Sequence, residues 1–320
     1  MAVQTRLKTF QHAQETTWGT AVAATIRMAG LKDVKLKIHD VVELLDELGR
    51  MGPSAQAVEK EQWGEGSIEA YGSFEDIIYL LAAIFGDVPP SGGPNYLWTF
   101  AAPNATAPTP IVYSGEIGAS GASYVAKGLL FTKLSIKADA SGLWMVSADF
   151  IARSVTTVSL ASLSDRSYEA IRMADTGLYV DAIGGTIGTT LVAASLINFE
   201  VSIETGRNLK MRGGSISPQG YSDDKFMVSG SVSVEWNSTT KAYLDALIAP
   251  AKVAKLFEIR ATSSAKIAKL QLVGYLDGGV DLWDDDAGVM STKFSINNLY
   301  DSTYGNYFKT LITNTIPDLL

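Results

Sequence analysis

Three kinds of residue grouping in this chain could do chemistry. The run Asp284-Asp285-Asp286, followed by Ala287-Gly288, offers carboxylates of the sort that bind a hard cation. It lacks the spaced ligands and distal glutamate of a calcium loop, so it reads better as a solvated hairpin turn. Gly184 to Gly188 (GGTIG) suggests a phosphate cradle, but no GKS or GKT ending follows and no apolar strand runs cleanly into it. It reads as a flexible linker or arm. Glu43 with Glu47, and Glu59 with Glu61, could share acid–base work, yet both pairs suit solvated faces better. His12 and His39 lie in polar contexts with neither a serine elbow nor a metal-spaced partner. The chain has no cysteine, which excludes thiol chemistry and disulfides and leaves a structural zinc with too few ligands. The expectation is a protein that is not an enzyme, with no catalytic, cofactor-binding or metal site.

Composition sets the frame for whatever these residues do. With 320 residues, 47% of them apolar, the chain can build two ordinary domains with buried cores. Net charge is -8 and divides evenly, about -4 in each half, without a basic patch. That balance argues against tight binding of nucleic acid, whose phosphates call for clustered Lys and Arg. The opening MAVQTRLKTF lacks a signal-peptide core, and no stretch approaches the ~18 apolar residues of a membrane helix. Cytosolic synthesis with no membrane anchor is expected. Short apolar-polar alternations rich in Ser, Thr, Val and Ile predict mainly β structure, a β-rich α+β chain of antiparallel sheets.

The elements that would position these residues repeat. LKDVKLKI (Leu31 to Ile38) and LINFEVSI (Leu196 to Ile203) lie roughly 165 residues apart, and in each the apolar residues alternate as in a half-buried strand. A long polar segment follows each, His39 to Gln62 and Glu204 to Lys225. Each chain then returns through a Gly-Ser strand, Gly66-Ser67-Ile68 or Gly230-Ser231-Val232, closed by Tyr71 or Trp236. Ser73 and Ser238 are placed to cap helices. Phe74, Ile77, Ile78, Leu81 and Phe85 form one apolar face with a stop at Gly86, and Tyr243, Ala246 and Leu247 form another with a stop at Pro250. The match resumes at a spacing of about 146, pairing Leu134 to Phe150 with Val280 to Ile296 as hairpins turning at Ser141-Gly142 and Ala287-Gly288. The shorter spacing leaves ~19 extra residues in a Gly/Pro-rich stretch of the first half, read as a surface elaboration. The division expected is 1–155, with an insertion at about 86–123, then a linker or arm at 156–195, then 196–320.

At this point the chain resembles the tail tube proteins of siphophages, the phages with long non-contractile tails. HAQETTWGTAV (His12 to Val22) is similar to the Glu-Thr-Thr-aromatic-Gly-Thr-Ala segment that often opens such proteins. The strand, long loop, Gly-Ser strand and capped helix match their core, and the resemblance covers most of the chain. It implies two tandem β-sandwich/barrel domains, each flanked by a helix, whose inner sheets join around a ring. Most of the family makes that ring from six single domains; members with two fused domains need three chains. The resemblance therefore implies a homotrimer with pseudo-sixfold symmetry, a hexamer being the alternative. Such rings stack into a hollow tube through which DNA is ejected without specific binding. The partners implied are further copies of the chain, a tape measure protein, and tail terminator and distal tail proteins, in a virion tail assembled in the host cytoplasm.

Within that frame the two long polar segments are the candidates for ring-to-ring contact, because loops of ~20 residues are uncommon without a job. Val41, Leu44, Leu45 and Leu48 are spaced as a short amphipathic helix, with Glu43, Asp46, Glu47 and Arg50 around them; it would either dock on the next ring or cover its own domain. The second segment is more polar and offers Arg207, Lys210 and Arg212. Opposite the apolar strand residues lie Lys35, Lys37, Glu69, Glu200 and Ser202, candidates for the lumen if that face lines the channel. Duplex DNA carries about one charge per 1.7 Å, so an acidic or balanced lumen is expected. Rivals are an outer-membrane β-barrel, a head–tail connector, a baseplate ring, a secretion-system tube and, more distantly, a polysaccharide-degrading enzyme.

Overall fold

Alternation of apolar with hydroxyl-bearing residues carries through to the architecture, which is almost wholly β. A computed structural model describes residues 5–319 apart from 46, 47, 50, 54, 55, 194, 249–252, 278–283 and 287. The first half runs β1 (Thr9–Gln14), β2 (Ile26–Arg27), β3 (Leu31–Leu44), β4 (Ala57–Tyr71), α1 (Ile77–Phe85), β5 (Tyr96–Ala101), β6 (Tyr113–Ala119), β7 (Ala122–Asp139), β8 (Met145–Ala152) and β9 (Ser154–Thr157). The second half runs β10 (Thr176–Ala182), β11 (Leu191–Val192), β12 (Leu196–Glu204), β13 (Asn208–Lys210), β14 (Gly220–Ser222), β15 (Met227–Glu235), α2 (Ser238–Ile248), β16 (Lys255–Ser263), β17 (Lys266–Asp277), β18 (Asp284–Asp286), β19 (Val289–Asn298) and β20 (Phe308–Asn314). Among the described residues, every strand except the β13–β14 ribbon belongs to one antiparallel network.

The order of pairing occurs twice. In the first half β2, β1, β6, β7 and β9 follow one another in a back sheet, while β3, β4, β8 and β7 follow one another in a second sheet. In the second half the back sheet runs β11, β10, β16, β17, β20, and the other runs β12, β15, β19, then β18 and the end of β17. One long strand thus serves both layers of each half. It changes layer at Gly128 in β7 and Gly274 in β17, about 146 residues apart. A Cβ at Gly274 would fall 2.1 Å from the Asn297 carbonyl oxygen, so the neighbouring strand tolerates only glycine there.

Among the described residues, two strand pairings join the halves. The C-terminal part of β7 pairs with β12, so β3, β4, β8, β7, β12, β15, β19 and β18 form a single continuous sheet. Behind it β5 pairs with β20, Tyr96 opposite Asn314 and Ala101 opposite Lys309. The Gly/Pro-rich insertion is therefore more than a surface elaboration: Trp98 and Phe100 are buried, and it closes the back sheet of the other half. The expected linker at 156–195 is corrected likewise, since β10 lies along β16 over its whole length.

Apolar residues at every position bury α1 all round, whereas the sequence predicts one buried face. Phe85 at its end contacts Phe100, Phe226 and Phe308, three rings drawn from both halves. Ser73 caps the turn leading into it as expected, its Oγ accepting from the Asp76 N–H at 2.9 Å, and Gly86 ends it by donating to the Ala82 carbonyl. For α2 the cap is Asn237 rather than Ser238: its Oδ1 accepts from the N–H groups of Thr239 and Thr240. The stop at Pro250 lies outside the described residues.

His12 is the other departure, for it is buried rather than in a polar setting. Its ring centroid lies 4.8 Å from that of Tyr113, 5.3 Å from Tyr79 and 5.6 Å from Phe10. Burial, helped by the Arg166 charge, lowers its pKa from 6.5 to about 3. Below pH 6.5 the unfolded chain takes up a proton that the folded chain refuses, so this site loses stability as pH falls from 6.5 towards 3, by about 1.4 kcal/mol per unit. Asp76, raised by burial to about 6, works in the opposite sense, so variant and parent must be compared. In His12→Phe the urea midpoint should drop less between pH 6.5 and 4.5 than in the parent; an unchanged pH dependence would contradict the assignment.

Candidate functional site

The continuous sheet has one apolar and one polar face. Val34, Ile68, Ala148, Leu134, Ile203, Phe199, Val232 and Phe294 point into the core. On the polar face the register lines up two rows that cross both halves. One runs Lys35, Ser67, Asp149, Lys133 and Glu204; the other runs Glu69, Ser147, Ser135, Ser202 and Ser229. All five residues put forward for a lumen lie on this face, Glu200 being opposite Lys137 at the seam, one same-face step along β12 from Ser202. Its charges are mixed and pair across strands: Lys37 Nζ is 3.0 Å from Glu65, Lys133 Nζ is 2.8 Å from Glu204, and Ser135 Oγ donates to Glu200 at 3.2 Å. Such exposed pairs add little stability. They do leave a hydroxyl-rich surface on which neither sign predominates.

The segment predicted as a loop with a short helix is a hairpin. β3 and β4 run on together, Val41 opposite Glu61 and Leu44 opposite Ala57, well past the Gly64 to Ala152 contact where β8 stops. Leu45 N–H still bonds to the Gln56 carbonyl. The β-branched Val41, Val42 and Val58 suit a strand, and cross-strand partners override the helical spacing of the leucines. Glu43 pairs with Lys60, and His39 stacks on Trp63 with its Nε2 2.7 Å from Glu65, so these are structural contacts of the ribbon. Val41, Val42, Leu44, Leu48 and Met51 are exposed on it, the last two wholly so. Asp46, Glu47 and Arg50 lie outside the described residues.

The second segment splits in two. Lys210 and Arg212 are exposed on and just after β13, and the loop beyond them braces the hairpin, the Ile216 carbonyl accepting from Gln62 N–H at 2.8 Å. Arg207 is instead buried. Its guanidinium donates to the carbonyls of Ala83 (2.9 Å), Ile84 (2.8 Å) and Phe131 (3.2 Å) and pairs with Asp223 at 3.0 Å. It satisfies orphan carbonyls at the end of α1 and places positive charge at the negative pole of the helix.

The Glu-Thr-Thr-Trp-Gly-Thr segment has a structural explanation. Glu15 is buried and accepts from Gly19 N–H (2.6 Å), Ser114 Oγ (2.7 Å) and Gly128 N–H (2.8 Å), tying the chain after β1 to β6 and β7. Trp18 Nε1 donates to the Gly128 carbonyl and Arg153 lies over its ring. Thr186-Ile187-Gly188-Thr189 repeats Thr17-Trp18-Gly19-Thr20, with φ of 78° at Gly188 and 79° at Gly19. There Asp181 accepts from the N–H groups of Gly188, Thr189 and Thr190 and from the Thr189 hydroxyl. GGTIG is thus a clamped turn between β10 and β11, not a flexible linker, and the repeated T-x-G-T was the signal for it.

Asp284 to Asp286 form β18 against Val289 to Ser291, a hairpin at the predicted place. Among the described residues no cluster of His, Asp and Glu converges as for a metal, and no helix is long and apolar enough to cross a membrane. Among the described residues the end strands β3 and β18 each pair on one side only, a ribbon with exposed apolar residues projects from β3, and the polar clusters hold strands together; this is a two-layer β-sandwich scaffold. The model of the phage tail tube protein family matches residues 5–299, and the chain belongs to that family. It is a structural component of a phage tail. Among curated proteins, none matches it.

Proposed function

We propose that the chain is a tail tube subunit with two fused tube domains, three copies of which close into a pseudo-sixfold ring in a long non-contractile tail. The observation that carries this is the seam between β7 and β12, where one half continues the sheet of the other edge to edge. Three chains repeating that step would close the sheet on itself and leave no bare strands, which a free edge otherwise exposes to aggregation. The polar face would then line the channel, its mixed charges and serines giving DNA nothing to hold. The β3–β4 hairpin reaches beyond the sheet with exposed Val41, Leu44 and Leu48 and is the arm that would meet the next ring. A free two-stranded ribbon is marginal in water, so contact with a neighbour would also stabilise it. Stacked rings form the conduit for DNA ejection, around a tape measure protein and between terminator and distal proteins.

Negative-stain imaging of purified protein over a concentration series tests this. Rings with the mass of three chains, passing into hollow tubes as concentration rises, are the expected result. A monomer at every concentration would overturn the proposal, and rings of six chains would overturn its stoichiometry.

A further inference from the structure

The seam inside the chain is a template for the seam between chains, and comparing the two brings out a difference in charge. At the internal seam β7 supplies lysines and β12 supplies glutamates: Lys133 lies opposite Glu204 and Lys137 opposite Glu200. The counterpart of β12 is β3, which pairs on one side only, with β4, among the described residues. The counterpart of the end of β7 is β18, which pairs only with β19 among the described residues. Lys137 lies opposite Met145 on β8, and Asp284 lies opposite Ser291 on β19. Met145 and Ser291 are about 146 residues apart, the spacing of the repeat. Carried over to a second copy, the register that sets Lys137 against Glu200 sets Asp284 against Lys35.

The signs are therefore reversed at the second seam. Here β3 brings Lys35 and Lys37, and β18 is three aspartates. Asp33, the acid on the β3 edge, already has Lys8 at 3.5 Å and Lys35 at 3.9 Å. Side chains also stand in along that bare edge for a missing strand, since the Val34 N–H bonds to Asp33 Oδ1 and the Val34 carbonyl accepts from Lys8.

We propose that the outer edge of β3 receives β18 of a second copy in the register of β7 on β12, and that the opposite charges of these two edges reject the pairing of like edges. Since β7 and β12 are already paired within each chain, the wrong contacts open to a second copy are between like edges: two β3 edges would bring lysines against lysines and two β18 edges aspartates against aspartates, and like charges directly opposite are destabilising. The proposal rests on the ring described above. It adds which strand meets which, and what rejects the wrong partner.

The chain has no cysteine, so a pair can be introduced without background. Opposed strand residues lie about 4.5–5.5 Å apart at Cα, within disulfide range. Lys35→Cys with Asp284→Cys should yield, on oxidation of assembled protein, interchain disulfides and a covalent ladder ending at three chains; Lys35→Cys with Lys293→Cys should not. Separately, Lys35→Glu should raise the concentration for half assembly by about tenfold or more. Adding Asp284→Lys should bring it back. Parent protein that forms no rings sinks the ring itself. Parent rings without the disulfide, or with charge-reversed chains that assemble normally, overturn this inference alone.

Discussion

Replacing Arg207 with methionine is expected to destabilise the folded chain by about 3–5 kcal/mol, the usual cost of removing one member of a buried, hydrogen-bonded charge pair. Methionine fills much of the volume but donates nothing, so the carbonyls of Ala83, Ile84 and Phe131 lose their donor and Asp223 loses its cation. The carbonyls of Ala83 and Ile84 end a helix buried on every side, and that of Phe131 lies within β7, so water does not readily replace the lost bonds. Arg207→Lys should fall between parent and methionine variant, because an ammonium keeps the charge but cannot reach three carbonyls and a carboxylate as a planar fork does. Urea unfolding followed by far-UV circular dichroism measures both. A loss below about 1 kcal/mol for the methionine variant would mean that the helix end is satisfied by other means.

Trp98→Ala is expected to cost a similar amount, about 3–5 kcal/mol, by opening a large cavity where the halves meet. Trp98 is buried in β5, stacks on Phe100, and donates from Nε1 to Asn314 Oδ1 and to the Ile316 carbonyl, both at 3.2 Å. Asn314 in turn donates to the Phe74 carbonyl at 2.7 Å. Three distant parts of the chain therefore share one buried polar network, and groups in such a network do not contribute additively. Asn314→Leu removes the acceptor and the second donor. In a double-mutant cycle the two changes should couple by about 1 kcal/mol or more. Additive losses would show that Trp98 acts through its bulk alone.

These two residues also mark where sequence patterns stop being informative. Strands such as Leu31 to Ile38 and Leu196 to Ile203 have a clear period of two because one face meets a core and the other meets water. Ser73, Asp76 and Gly86 announce α1 because its ends are satisfied by near neighbours. Arg207 carries no such signal: its partners lie on α1 and β7, far away in the chain, and nothing beside it separates it from the exposed Lys210 and Arg212. The β3–β4 ribbon was hidden for a related reason. Spacing among Val41, Leu44, Leu45 and Leu48 fits a helix equally well, and only Ala57 and Val58 across the strand decide between them. β5 was legible in part, since Leu97 to Phe100 alternate in an aromatic-rich run, but prolines and glycines on both sides make it look like a loop. The polar face was foreseeable residue by residue from alternation. Its continuity across two halves depends on the β7–β12 pairing, to which no local pattern points.

The crossing of β5 onto β20, and of Asn314 back to Phe74, bears on how the protein is made. The first half is synthesised before the second, so as it emerges α1 has no Arg207 to finish it and β5 has no strand to lie on. The first half therefore completes its packing only after the second half, through β20, has been made.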